Sequence, residues 1–166
     1  MDSLDRTLFT ELEPLVTAQG VDLVEVGVTP GGRRTVIQVV IHSEQGISHG
    51  DCRRVTRAVG GCLDESSSVT GAYVVEVSSP GVNRVIKDAR EFELFRGDAV
   101  RVVLNEDVPD RQVTGQAAGT RTLEEEVAVV VLREDGEESV IPWSRVARAR
   151  LIPDTPGRGG NGGKGS

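Results

Sequence analysis

The chain has 166 residues and a formal net charge of −7 at pH 7, with 37% hydrophobic and 27% charged residues. This length allows one ordinary domain or two small ones, and the acidity argues against bare nucleic acid as the main partner and favours a basic protein. No apolar run reaches the about 18 residues of a membrane span, and residues 1–14 lack the basic start and apolar core of a signal peptide, so we expect a cytoplasmic protein.

The first half of the chain predicts an αββαβ domain. Its elements are, in order, a helix from Leu4 to about Gly20, strands at 21–29 and 36–41, a helix that starts at Ser48 and a strand at 73–77. The helices show apolar residues at three- and four-residue steps, whereas the strands alternate. Pro30-Gly31-Gly32 predicts a turn between the first two strands, and Ser48 with Asp51 predicts a capped helix start. We therefore expect two helices on one face of a three-stranded sheet, over residues 1–82.

Residues 83–88 are predicted to be a linker and 89–153 a second domain, followed by a disordered Gly-rich tail at 154–166. Asp88 and Glu91 predict the start of a short helix. Short strands follow at 100–104, 113–117, 127–132, 140–141 and 147–152, with Glu134-Asp135-Gly136 as a hairpin turn. Five short strands in about 55 residues predict a small barrel or sandwich, so the fold class of the whole chain is α+β.

Gly46-Ile47-Ser48-His49-Gly50 matches the G-x-S-x-G turn of serine hydrolases. The order of such a triad is serine, acid, histidine, and neither His42 nor His49 follows an acid downstream of Ser48. Ser48 is better explained as a helix cap. We therefore predict no catalytic residue.

Metal and phosphate sites are also not expected. His42, His49, Asp51 and Cys52 lack the spacing of metal ligands, with no CxxC or HxxxH. The tail, 157–166, misses the phosphate-loop spacing. Cys52 and Cys62 are too far apart along one predicted helix to form a disulfide, which suits a reducing compartment. We predict no metal and no cofactor.

The 78–84 segment, Ser-Ser-Pro-Gly-Val-Asn-Arg, follows a predicted strand. Pro80 and Gly81 suit the central positions of a type II turn, and the guanidinium of Arg84 can make a bidentate contact with a carboxylate or a phosphate. This segment, together with the preceding Glu76-Val77, resembles the signature of the bacterial ribosome maturation factor RimP family, in which a strand ends in E-V-S-S-P-G and an arginine follows.

Three other segments resemble the same family more weakly, and they occur along the chain in the same order as in that family. They are Gly46-Ile47-Ser48 with Asp51-Cys52, Phe95 with Gly97 and Val100, and the closing segment 141–153. Three positions depart from the family: Val85 stands where proline is usual, His42 where aspartate is usual and Arg148 where lysine is usual.

The resemblance implies a C-terminal SH3-like β-barrel and binding to the immature small (30S) ribosomal subunit, with contact to ribosomal protein 12 of that subunit. On this basis we predict a monomeric, non-catalytic assembly chaperone that helps to incorporate this basic protein. The predicted partner-binding residues are Ser78, Ser79, Pro80, Gly81, Arg84, Glu124, Glu125 and Glu126. The three glutamates are included because they form an acidic run that suits a basic partner.

A direct RNA-binding role is the alternative. It would act on ribosomal RNA through the arginines Arg84, Arg90, Arg96 and Arg101. The aromatic residues Phe9, Tyr73, Phe92, Phe95 and Trp143 are better assigned to cores than to a platform for stacking bases.

Overall fold

The structure, a computed structural model, describes residues 3–81 and 83–153. The described chain forms two compact units that divide between Pro80 and Gly81. The first unit contains α1 (Ser3–Ala18), β1 (Asp22–Gly31), β2 (Arg34–His42), α2 (His49–Glu65) and β3 (Tyr73–Ser78). The second contains β4 (Val85–Ile86), α3 (Ala89–Leu94), β5 (Ala99–Leu104), β6 (Gln112–Leu123), β7 (Glu126–Leu132), β8 (Glu138–Pro142), a 3-10 turn (Trp143–Arg145) and β9 (Val146–Leu151). The predicted tail at 154–166 lies outside the described residues.

The first unit confirms the predicted helices on a three-stranded sheet. The strand order is β1-β2-β3, with β2 antiparallel to β1 and parallel to β3. Both helices contribute their apolar faces to one core, which also takes residues from the strands: Leu8, Leu12 and Val16 from α1, Val55, Val59 and Leu63 from α2, and Leu23, Val26, Ile37, Val39 and Ile41 from β1 and β2. Burial of these side chains is the main stabilising contribution to this unit.

The turn between β1 and β2 lies later than predicted. Gly31 pairs with Arg34, so the turn consists of Gly32 and Arg33, and Gly32 has a φ of 65°. Pro30, predicted as part of the turn, instead lies in β1 opposite Thr35. β1 is an edge strand, where the missing N–H of a proline breaks no necessary hydrogen bond.

The start of α2 is a capping box, as Ser48 and Asp51 predicted. The Ser48 hydroxyl accepts a hydrogen bond from the Asp51 N–H at 3.1 Å, and the Asp51 carboxylate accepts one from the Ser48 N–H at 2.9 Å. The hydrogen bonds from the Ser48 backbone and side chain hold the pKa of Asp51 below its usual value, with Arg54 contributing in the same direction. Two backbone N–H groups at the helix end are thereby satisfied.

The second unit is strand-rich, with one sheet of six strands in the order β4-β9-β5-β6-β7-β8 among the described residues. All its pairings are antiparallel. The strand order ends at β4 and β8, and the described strands do not close on themselves. The predicted barrel is therefore not confirmed. Phe92 of α3 and the following Phe95 are fully buried with the inward valines Val100 and Val102 of β5.

One strand of this unit was not predicted, and another is longer than predicted. β4 was not predicted, and β6 extends to Leu123, well beyond the predicted end at residue 117. Gly115 and Gly119 interrupt the apolar alternation within β6, and glycine normally weakens a strand. Here Gly115 lies against the backbone of β7, because an added Cβ would come within 2.2 Å of the Leu132 carbonyl oxygen.

Helices in the described ranges are neither long nor apolar enough to cross a membrane.

Candidate functional site

The 78–84 segment connects the sheet of the first unit to the start of the second. Ser78 is the last residue of β3 and pairs with Val40 of β2. Ser79 and Gly81 are exposed and Pro80 is half-buried. The division between the units falls after Pro80, so the predicted binding residues of this segment belong to two separate units.

The predicted type II turn at Pro80 and Gly81 is wrong. Gly81 does not have the positive φ that such a turn requires of its third residue. The turn lies further along, where the Arg84 N–H donates to the Gly81 carbonyl at 3.2 Å and Asn83 has a φ of 68°. Asparagine tolerates this left-handed conformation better than most residues, because its short polar side chain can bond locally.

Arg84 is bound within the second unit. Its Nη2 donates to Oε1 of Glu91 at 2.8 Å, and the two side chains are only 12% and 4% exposed. The other oxygen of Glu91, Oε2, accepts a hydrogen bond from the Lys87 N–H at 3.1 Å. Glu91 therefore holds the chain on both sides of β4 against the first turn of α3.

This arrangement gives Arg84 a structural role. A carboxylate was one of the two partners expected for its guanidinium, and the chain supplies that carboxylate itself. Removing one member of a buried ion pair leaves an uncompensated charge. Sequence reasoning assigned Glu91 only to the start of α3, where Asp88 in fact accepts a hydrogen bond from the Glu91 N–H. The predicted contact of Arg84 with a partner stays a prediction.

The predicted acidic run forms the tip of the β6–β7 hairpin. Leu123 pairs with Glu126, so Glu124 and Glu125 make a two-residue turn in which Glu124 has a φ of 51°. Both turn glutamates are exposed. Glu126 is half-buried and differs from them, because its Oε1 accepts a hydrogen bond from the Ser144 N–H at 2.9 Å. The hydrogen bonds from the Ser144 side chain and backbone lower the pKa of Glu126.

A shallow groove of about 600 Å³ runs beside this hairpin, lined by Leu123, Glu124, Glu125, Glu126 and Pro142. Leu123 and the neighbouring Val127 are 37% and 42% exposed. The hairpin, which we define as residues 123–127, thus offers carboxylates next to apolar side chains. Such a surface suits a basic partner that also carries apolar groups.

The four arginines of the RNA-binding alternative differ in their contacts and exposure. Arg84 binds Glu91, and Arg96 donates to Glu93 at 2.6 Å. Partial burial raises the pKa of Glu93, but the hydrogen bonds from Arg96 and Thr120 outweigh it, so that the pKa is lowered overall. Arg90 is exposed and lies on α3, whereas Arg101 is exposed on β5. The structure therefore does not present these four side chains as one common surface.

Ser48 and the candidate metal ligands have local structural roles. The Ser48 hydroxyl is the N-cap of α2. Within residues 3–81 and 83–153, no three histidine, cysteine, aspartate or glutamate side chains lie close enough together to hold a metal ion. Cys52 and Cys62 are both free thiols. Burial raises the pKa of Cys62 most, and the negative charges of Glu11 and Glu65 raise it further, so that its thiolate is less available.

Comparison with protein-family models matches residues 11–83 to the RimP N-terminal domain. The match begins within α1 and ends in the 78–84 segment, so it covers the sheet, α2 and the second half of α1.

Proposed function

We propose, because this chain belongs to the RimP family, that it assists maturation of the small (30S) ribosomal subunit as an assembly chaperone. RimP proteins are ribosome maturation factors, and the match of residues 11–83 is the observation that carries the proposal. In this proposal the chain works in the cytoplasm as a monomer, and its second unit is a small SH3-like barrel.

The proposed mechanism requires binding alone. A chaperone of this kind promotes assembly when its affinity for the immature particle exceeds its affinity for the mature one, because only a difference in affinity shifts the equilibrium between the two. The chain binds the precursor, favours the incorporation of a ribosomal protein and leaves when the mature form no longer holds it. No bond of the substrate is made or broken.

We assign contact with a basic ribosomal protein, ribosomal protein 12 of the small subunit, to the 123–127 hairpin. Glu124 and Glu125 are exposed, and Leu123 and Val127 lie beside them with more than a third of their surface exposed. A chain with a net charge of −7 attracts a basic partner over a distance that salt shortens. Ser78, Ser79, Pro80 and Gly81 are proposed to position the two units on the particle, with Arg84 holding the start of the second unit in shape.

The direct test is a titration of the full chain with purified ribosomal protein 12, followed by amide chemical shifts. We expect the largest shifts in residues 123–127, and we expect Glu124→Gln/Glu125→Gln to weaken binding about three- to tenfold, with a loss that shrinks at high salt. The control Glu44→Gln/Glu134→Gln removes the same charge from two exposed positions outside the hairpin and should bind as the wild type does. Shifts confined to other surfaces, or equal weakening by both variants, would contradict the assignment.

A further inference from the structure

The outer side of β4, β9, β5 and β6 carries arginines and no acidic residue, whereas the same side reaches Glu138 two strands further on, in β8. Cross-strand pairing aligns Val85 of β4, Arg150 of β9, Arg101 of β5 and Thr114 of β6 in one row. A second row aligns Arg148, Val103 and Gln112, and Ala99 pairs with Gln116 beside the first row. Because directly paired residues of antiparallel strands, and residues two apart along a strand, share a face of the sheet, these nine residues form one face, which we call the arginine face.

The alternate residues of the same strands confirm its orientation. Val100, Val102 and Ala149 are at most 1% exposed and belong to the core. Arg101 and Arg148 are exposed and Arg150 is half-buried. The arginine face is therefore the outer side of these strands.

Among the described residues of the second unit, the three arginines of this face differ from the other arginines, of which Arg111 donates to the Leu104 carbonyl and Arg90 also has a partner. Arg96, Arg121, Arg133 and Arg145 each bind a carboxylate, and so does the buried Arg84. The side chains of Arg101, Arg148 and Arg150 have no hydrogen-bond or ion-pair partner within the described ranges. In a chain with more acidic than basic residues, these three cations thus lie near one another without a carboxylate partner among the described residues.

Their placement also has an energetic cost. Arg101 lies directly opposite Arg150, and like charges directly opposite in a sheet are destabilising. An anionic ligand would remove that repulsion. The three arginines lie in two neighbouring rows of one face, and guanidinium groups, each able to bind a phosphate through two N–H groups, are suited to a chain of phosphates.

We infer that the arginine face binds the phosphate backbone of RNA. The inference rests on the proposed function in one respect: an assembling ribosomal particle offers RNA and basic proteins as its surfaces, and of these only RNA is anionic. The face has no aromatic side chain on which a base could stack. Binding should therefore depend on salt and be insensitive to base sequence.

The test compares binding of the full chain to a small-subunit ribosomal RNA transcript and to poly(U) with that of Arg101→Gln/Arg148→Gln/Arg150→Gln. The control Arg6→Gln/Arg33→Gln/Arg57→Gln removes the same charge from exposed positions of the first unit. We expect the wild type and the control to bind both RNAs at about 50 mM salt, with a log–log salt slope of about −2 for three phosphate contacts on a single strand. The arginine-face variant should lose about tenfold or more, while its tryptophan fluorescence unfolding midpoint stays at or above that of the wild type.

Three results would overturn the inference: no RNA binding by the wild type at low salt, equal losses in both variants, or binding of poly-glutamate as tight as that of RNA. A substitution by lysines at 101, 148 and 150, which keeps the charge and removes the guanidinium forks, should give intermediate RNA binding and guards against a folding defect of the glutamine variant. The proposed function is tested separately, by binding to small subunits and to ribosomal protein 12 in experiments without naked RNA. A failure of the RNA inference can therefore be told apart from a failure of the proposed function.

Discussion

The first unit covers one face of its sheet with two helices, whereas the second unit fixes its strands through close backbone contact and a buried ion pair. In α2, Gly60 and Gly61 have open space where a Cβ would be added, and the capping box lies at the surface. In the second unit, an added Cβ at Gly115 would meet the backbone of β7, and Arg84 and Glu91 are nearly inaccessible. The second unit therefore adds two close contacts, at Gly115 and at the Arg84–Glu91 pair, to its apolar core, while the first distributes its stability over a helix–sheet core.

The chain provides a probe for each unit. Its single tryptophan, Trp143, lies in the second unit and its single tyrosine, Tyr73, lies in the first. Unfolding curves from tryptophan fluorescence and from tyrosine absorbance can therefore follow the two units separately. The effect of a single substitution on the stability of each unit can then be measured.

The largest effect is expected from Arg84→Ala. It leaves the carboxylate of Glu91, 4% exposed, without its cation, and breaking a buried pair in this way costs about 3 kcal/mol or more. The tryptophan-detected urea transition should move to lower urea while the tyrosine-detected transition stays in place. Arg121→Ala, which breaks an exposed pair with Glu138, should cost less than about 1 kcal/mol. If Arg84→Ala proves as stable as Arg121→Ala, Arg84 does not have the structural role assigned to it.

Alanine substitution of a glycine should have opposite effects in the two units. Gly115→Ala forces a Cβ against the Leu132 carbonyl, and we expect a loss of about 1–3 kcal/mol in the second unit. Gly61→Ala fills open space on an exposed helix position and should stabilise the first unit by about 0.5–1 kcal/mol. The tryptophan- and tyrosine-detected urea transitions measure the two changes in stability. Two losses, or two gains, would contradict the difference between the units.

The capping box of the first unit gives a smaller effect that depends on pH. Ser48→Ala should cost about 1 kcal/mol at neutral pH. The lowered pKa of Asp51 means that its carboxylate stabilises the fold above its unfolded pKa of about 3.9, and that this contribution is lost as the pH falls through the lower folded pKa. The stability difference between the wild type and Asp51→Asn should therefore be full above about pH 5 and shrink toward pH 2. Glu44→Gln, at an exposed position, is the control, and a difference for Asp51→Asn that grows with acidity would contradict the assignment.

The smallest effect on folding is expected at the hairpin. Glu124→Gln/Glu125→Gln changes two exposed side chains at a turn, so both unfolding transitions should shift by less than about 0.5 kcal/mol. A larger shift of the tryptophan-detected transition would mean that these glutamates serve the fold, and their proposed role in binding a basic protein would then be lost.

Local sequence signals predicted the first unit well. The Ser48 and Asp51 pair gave the start of α2, and alternating valines gave β1 and β2, because capping and alternation act over a few residues. The match of residues 11–83 to the RimP N-terminal domain supports the family that Ser78-Ser79-Pro80-Gly81 and Arg84 indicated.

Features that depend on distant pairing were not predictable. Nothing near Arg84 reveals that it turns inward to Glu91, since both a carboxylate and a phosphate suit a guanidinium. The length of β6 was hidden because Gly119, which has a φ of 91°, follows the predicted end at residue 117, and the strand continues past it through a register shift between Ala117 and Thr120. Likewise, Arg101 was recognised as a possible RNA contact, but its alignment with Arg150 follows from the register of β5 and β9.

The central claim is preferential binding of this chain to immature small ribosomal subunits. It is tested most directly by co-sedimentation of the full chain with small subunits from a strain that lacks the chain, compared with mature subunits, at equal particle concentration. The account predicts association with the precursor particles that is at least about tenfold tighter than with the mature ones, which corresponds to about 1.4 kcal/mol. Equal affinity for both particles, or no association with either, would contradict it.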